Sequence, residues 1–186
     1  MQIYYASLDA IEQQTRQLDH EQCSHCQQTH QLVSHGFIYK KQAGADPAAT
    51  GKRVLCSNRH HHAGCGRTTQ LYLDTTVRYL HYAGSQVVAF VFALIAGASV
   101  TQAYWQSTGS ADTHNAYRWL HRLGAQLSTY RSLSHRPALA DTEPPVLAAR
   151  LPLRTGLLAS TFQCLLQQFG QPLCGRYQGH TQRSFL

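Results

Sequence analysis

Four of the six cysteines in this 186-residue chain have spacings that suit metal chemistry. Cys23 and Cys26 form a C-x2-C pair, the separation at which two thiolates and nearby backbone N–H groups close on one ion. Cys56 and Cys65 follow after a basic and aromatic arm. Four thiolates on one structural zinc ion can hold a segment that has little apolar residue of its own. The second pair is irregular, because the eight residues Ser57 to Gly64 separate its cysteines. Either that segment bulges out as a loop or one ligand is a histidine. His60, His61 and His62 are in reach, and Cys56 with His60 is the competing pair. Two further readings stand beside the metal: reduced thiols that are merely buried, and a C-x2-C redox motif, which lacks a surrounding βαβ pattern. With four protein ligands no position is open for water or substrate, so the ion is expected to be structural rather than catalytic. Cys164 and Cys174 read as free thiols, one in an apolar helix and one in the C-terminal segment.

Other chemistry is poorly represented. The nine carboxylates form no motif that would hold two catalytic metal ions, and no Gly-rich phosphate loop, G-x-S-x-G or H-E-x-x-H is present. The chain is therefore expected not to be an enzyme. Sixteen Lys and Arg against nine Asp and Glu give a net charge of +7, and twelve His can add to it below neutral pH. A polyanionic partner follows, with a phosphate backbone preferred to a membrane surface because no basic amphipathic anchor stands out. No basic segment followed by an apolar one opens the sequence, so a cytoplasmic location is expected. Val87 to Val100 is interrupted by Gly97 and falls short of the roughly 20 residues a spanning helix needs.

The elements that must position these residues can be read from periodicity. Leu8, Ile11, Thr15 and Leu18 share helical spacing, so residues 1–20 read as a helical lead into the first cysteine pair. Leu32 to Lys41 favours a strand, Ala43 to Gly51 a loop, Lys52 to Cys56 a returning strand and Thr69 to Asp74 a last one. The cysteine pairs then sit at the two ends of a hairpin-like arm. Further on, Gly84-Ser85 opens an apolar helix from Gln86 to Ala96, Val100 to Trp105 forms a short helix, and Ser107 to Ser110 a turn. Asp112 or Thr113 caps a third helix that continues past Gly124 until Arg136-Pro137 breaks it. Three helices with a Gly-bearing turn before the last match a helix-turn-helix pattern. Residues 134–145 look like a linker, Leu147 to Phe169 like one or two amphipathic helices, and Pro172 to Leu186 like a tail disordered alone or ordered against a partner.

In such a helix-turn-helix the start of the last helix faces base edges. Ser110, Thr113, His114, Asn115 and Arg118 are the expected contacts, with Asn115 suited to adenine and Arg118 to guanine or phosphate. Arg122 extends the same set. Lys40, Lys41, Lys52, Arg53, Arg59 and Arg67 on the arm would grip phosphates. Tyr117, Leu120 and Leu123 are expected to face inward, and Trp105 and Trp119 to sit in the core. The plain alternative is a helical bundle whose polar faces are only wet.

Cys23-x2-Cys26, Ser34-His35-Gly36, Arg53-Val54-Leu55-Cys56-Ser57 and Gly64-Cys65-Gly66-Arg67-Thr68-Thr69-Gln70-Leu71 resemble the N-terminal zinc ribbon of bacterial insertion-sequence proteins. The resemblance covers roughly residues 20 to 125 and departs at the insertion between Cys56 and Cys65. It implies zinc on Cys23, Cys26, Cys56 and Cys65. It also implies a following helix-turn-helix that binds transposon ends or represses, with the nuclease residues on a separate polypeptide or domain. The expected fold is a small α+β chain: residues 1–20 the lead, 21–76 a zinc ribbon of short β-strands, 77–133 an all-α helix-turn-helix bundle, 134–145 a linker, and 146–186 a C-terminal helix and basic tail. The expected function is a non-catalytic, zinc-dependent DNA-binding protein, accessory or regulator of a mobile element, acting on duplex DNA. The alternative is a zinc-ribbon adaptor that binds protein or RNA within a larger complex. A protein partner docked through 146–186 and homodimerisation are further expectations.

Overall fold

The computed structural model describes residues 1–40, 46–133 and 153–186, with side chains of the last segment from Leu158 onward. Lys41, the proposed linker 134–145, the Arg136-Pro137 break and the start of the segment 146–186 lie outside the described residues. The chain is α+β, with a four-stranded mixed sheet and six α-helices among the described residues. Its elements are β1 (Gln2–Tyr5), α1 (Leu8–Arg16), β2 (Leu32–Lys40), β3 (Ala48–Cys56), β4 (Thr68–Leu73), α2 (Gly84–Ile95), α3 (Val100–Thr108), α4 (Thr113–Leu133), α5 (Leu153–Phe169) and α6 (Leu173–Thr181).

The strands lie in the order β1-β4-β3-β2, with β1 parallel to β4 and the other pairs antiparallel. Residues 1–20 are thus more than a helical lead, since β1 completes the sheet and α1 covers one face of it. Strand alternation sends Leu71 to that face, where it packs with Val54, Ile11 and Leu18, while Tyr72 turns to the other face and stacks on Tyr4. Ser7 caps α1, its Oγ accepting the Ala10 N–H at 3.1 Å; alanine there would cost about 1 kcal/mol. β3 begins at Ala48, earlier than expected, because Ala48 and Ala49 pair with Lys40 and Tyr39 despite the turn-rich composition.

The helices enclose a separate aromatic core. Phe90 of α2 and Tyr104 of α3 meet Trp119 of α4 edge to face, with centroids 5.5 and 5.1 Å away. Tyr130 at the far end of α4 packs on Phe162, Tyr177 and Phe185, and its hydroxyl donates to the Phe185 carbonyl. The C-terminal stretch is therefore ordered within this chain, contrary to the expectation of a tail disordered alone or ordered only against a partner. Its Gly- and Gln-rich composition conceals Leu173, Tyr177, Phe185 and Leu186, all buried. Gly175 permits the close approach of α6 to the sheet, since a Cβ there would lie 2.2 Å from the Asp74 carbonyl oxygen.

Two aromatic assignments are overturned. Tyr117 is 57% exposed and Trp105 58% exposed. In α4 the inward positions are Ala116, Trp119, Leu123 and Tyr130, a 3-and-4 spacing that turns position 117 roughly 100° away from the core. In α3 the neighbouring Tyr104 takes the buried place.

Candidate metal centre and basic helix face

The first cysteine pair sits on a tight turn after α1. Gln27 N–H donates to the Cys23 carbonyl at 2.8 Å and Cys23 N–H to the Gln28 carbonyl at 3.0 Å, with Gln27 at φ 60. His25 N–H also donates to Cys23 Sγ at 3.4 Å. The second pair closes a different loop. Cys56 ends β3, and Gly64 N–H returns to the Ser57 carbonyl at 2.7 Å while Gly66 N–H reaches the Cys56 carbonyl at 2.8 Å. Residues 57–64 therefore leave and rejoin the chain at neighbouring points, which resolves the irregular spacing in favour of an excursion. Glycine is required at the rejoining point, because a Cβ on Gly64 would lie 2.3 Å from the Ser57 carbonyl oxygen and 2.6 Å from Cys56 Sγ. Ala63 N–H on Gln31 Oε1 at 2.7 Å pins the excursion beside the first turn.

These two turns bring Cys23, Cys26, Cys56 and Cys65 together, with all four sulfurs within 4.8 Å of one another. Cys23 Sγ lies 3.8 Å from Cys65 Sγ, and Cys26 Sγ 3.7 Å from Cys56 Sγ. A tetrahedron with metal–sulfur bonds of about 2.3 Å has edges of about 3.8 Å. The four cysteines thus fit a metal ion, with a donor set of the soft thiolate type. Burial pushes the Cys56 thiol up to about 12. Burial acts in the same direction on Cys23, but backbone N–H groups of Cys26 and His25 bring that thiol down to about 7. The histidine run does not join them: His62 Nδ1 lies 3.2 Å from the His30 carbonyl oxygen, and His60 and His61 are exposed with φ 52 and 71.

The proposed phosphate contacts divide. Arg53, Arg59 and Arg67 are exposed, and Arg67 Nη1 lies 3.3 Å from His25 Nδ1 at the rim of the cysteine cluster. Lys52 is half-buried, with its Nζ 4.6 Å from the Phe37 ring centroid and 3.4 Å from Thr15 Oγ1. Lys40 is a correction: its Nζ donates to the Val77 and Leu80 carbonyls, and burial lowers its ionisation to about 8. That ammonium joins β2 to the turn after β4 instead of facing a partner.

On α4, Thr113, His114 and Arg118 are exposed while Asn115 and Arg122 are half-buried, as is Ser110 in the turn before it. Asp112 caps the helix, with Oδ1 accepting the His114 and Asn115 N–H groups at 3.1 and 3.3 Å. Its Oδ2 accepts Asn115 Nδ2 at 2.6 Å, so the Asn115 side chain is already engaged. His114, Tyr117, Arg118, His121 and Arg122 line one cleft of about 320 Å3. Sequence reasoning missed Tyr117 and His121, although choosing Ala116 as the inward residue would have placed both outside. Asp112 is the one carboxylate from Thr75 to Leu133. Among the described residues no helix is long and apolar enough to cross a membrane. Compared with protein-family models, curated proteins and solved structures, the chain matches none.

Proposed function

We propose that this protein is a non-catalytic, zinc-dependent DNA-binding protein, accessory to or regulating a bacterial mobile element. In this reading residues 21–76 are a zinc ribbon and α2 to α4 a helix-turn-helix whose last helix enters the major groove. Cys23, Cys26, Cys56 and Cys65 would hold the zinc, which supplies folding energy and fixes the turn beside Arg67. The mobile-element role rests on the sequence resemblance alone.

The observation that carries the reading is the outer face of α4. His114, Arg118, His121 and Arg122 stand together around an exposed tyrosine, and α4 itself contains no carboxylate. A face of that charge suits phosphate and guanine edges. Gly109 ends α3 in the left-handed conformation at φ 69, and α4 starts at Thr113, so the two helices join by a short turn as the motif requires. The adaptor alternative relied on an apolar docking helix near the C-terminus. Leu158, Phe162 and Leu165 of α5 are buried in the chain's own core, which favours the DNA reading.

The test is retardation of a pool of duplexes by zinc-loaded protein across a salt series. Binding is expected at low salt, with a steep loss as salt rises. Arg118→Ala should erase preference among sequences, whereas Arg59→Ala should weaken all of them alike. No retardation of any duplex at low salt would end the proposal.

A further inference from the structure

The face of the sheet turned away from α1 carries a cluster with no part in the metal centre or the α4 surface. Tyr4 and Tyr72, register partners in the β1–β4 pair, stack with centroids 5.8 Å apart and planes 27° from parallel. Their hydroxyls donate to Gln2 Oε1 and Gln70 Oε1 at 3.2 and 3.0 Å. Arg53, exposed, pairs in register with Gln70. Burial pushes the Tyr72 hydroxyl up, and the charges of Arg78 and Arg53 both pull it back.

Beside this patch lies the turn 77–80, and its backbone is fastened from three directions. Lys40 Nζ donates to the Val77 and Leu80 carbonyls, Gln178 Oε1 accepts the Arg78 N–H at 3.0 Å, and Ser184 Oγ donates to the Arg78 carbonyl at 3.2 Å. At its tip Tyr79 adopts φ 60, a left-handed conformation uncommon for a bulky side chain. The ring is nevertheless 75% exposed, with the Arg78 guanidinium 4.7 Å from its centroid. Burial does not account for a large ring held outward on strained, firmly tied backbone. Arg78 Nη2 also donates to the Tyr79 hydroxyl at 2.5 Å, so the guanidinium steadies the ring while most of it stays exposed.

We propose that this patch binds single-stranded DNA, with an unpaired base stacking on Tyr79 and the adjoining phosphates meeting Arg78 and Arg53. An exposed ring beside the Arg78 guanidinium, with Arg53 exposed on the adjoining sheet, offers the π-face and the charge that a strand with open bases needs. A duplex leaves no base face open, and an acidic peptide would use the cations but not the ring. The partner class rests on the DNA-binding reading, but the surface is distinct from α4, so the two can fail separately.

The experiment compares fluorescence anisotropy of a labelled oligothymidylate of about 12 nucleotides, a length such platforms span, with that of a duplex. The zinc-loaded full chain is used in both arms. Tyr79→Ala is expected to weaken the single strand about tenfold and to leave the duplex unchanged, and Tyr79→Phe to restore the single strand. Arg118→Ala should do the reverse. Unchanged single-strand binding in Tyr79→Ala, binding of duplex but no single strand by the wild type, or tighter binding of the matching RNA overturns this proposal. Loss of duplex binding alone, with the Tyr79 dependence kept, overturns the α4 reading and supports this one. No binding of either nucleic acid overturns both.

Discussion

Gln178 and Thr76, 102 positions apart in sequence, share a buried hydrogen bond in which Gln178 Nε2 donates to the Thr76 carbonyl at 2.8 Å. The Oε1 of the same amide accepts the Arg78 N–H at 3.0 Å. One fully buried side chain thereby satisfies two backbone groups of the turn after β4 and ties α6 to it. Gln178→Leu keeps the approximate volume but strands both groups, at a cost of about 2–4 kcal/mol. Chemical denaturation measures it. A change below about 0.5 kcal/mol, the level of an ordinary surface substitution, would mean that this amide does not hold the turn.

The cysteine cluster makes a separable prediction about its ligands. Purified protein should carry one zinc per chain, and Cys65→Ser should lower its affinity for zinc at least about tenfold. His60→Ala, His61→Ala and His62→Ala should retain the metal, because the histidine run is not among the four converging side chains. Metal content by atomic emission decides between them. Loss of zinc from a histidine variant with Cys65→Ser still loaded would reassign the fourth ligand.

Zinc uptake should also be coupled to proton release. In the metal-free chain the Cys56 thiol, pushed by burial up to about 12, keeps its proton at pH 7, whereas backbone N–H groups bring Cys23 down to about 7. Zinc takes thiolates, so both sites must reach the deprotonated form on binding. Acid therefore competes with the metal: affinity rises with pH, by at least about tenfold per unit from Cys56 alone, and more steeply below pH 7 where Cys23 is also protonated. Competition with a chromophoric chelator at pH 6, 7 and 8 reads the slope. A flat profile would exclude Cys56 as a ligand.

What could be read in advance followed from local signals. The C-x2-C spacing, the apolar helix after Gly84 and the Asp112 cap are all written within a few residues, and the structure has each of them, although α2 starts at Gly84 with Ala83 as its cap residue. The excursion between Cys56 and Cys65 was ambiguous because its resolution depends on Gln31, which lies far from it in sequence and pins Ala63. β1 left no readable trace. Four residues carry no convincing period, and their partner β4 lies beyond two other strands. The C-terminal segment misled for a related reason. Tyr177 and Phe185 are too widely spaced to form a stripe, and they become core only where Tyr130 of α4 meets them. Lys40 reads as a surface cation from sequence, and only the folded turn supplies the two carbonyls that occupy it.

Asp112 places a negative charge at the end of α4 where the proposed reading would bring phosphate, and it does so for the sake of the helix. Its Oδ1 satisfies two of the free N–H groups of the first turn, and a carboxylate there also meets the positive end of the helix dipole. The two roles can be separated. Asp112→Asn keeps a capping oxygen and removes the charge, so stability should fall by no more than about 0.5 kcal/mol. DNA affinity at low salt should rise a few-fold, and the gain should shrink as salt screens the site. Asp112→Ala loses the cap as well, at about 1 kcal/mol, and releases the Asn115 side chain from its 2.6 Å contact. Thermal unfolding and a salt series on the same samples measure both effects. Unchanged affinity in Asp112→Asn at low salt would place the phosphates away from the start of α4, and with them the recognition role of Arg118.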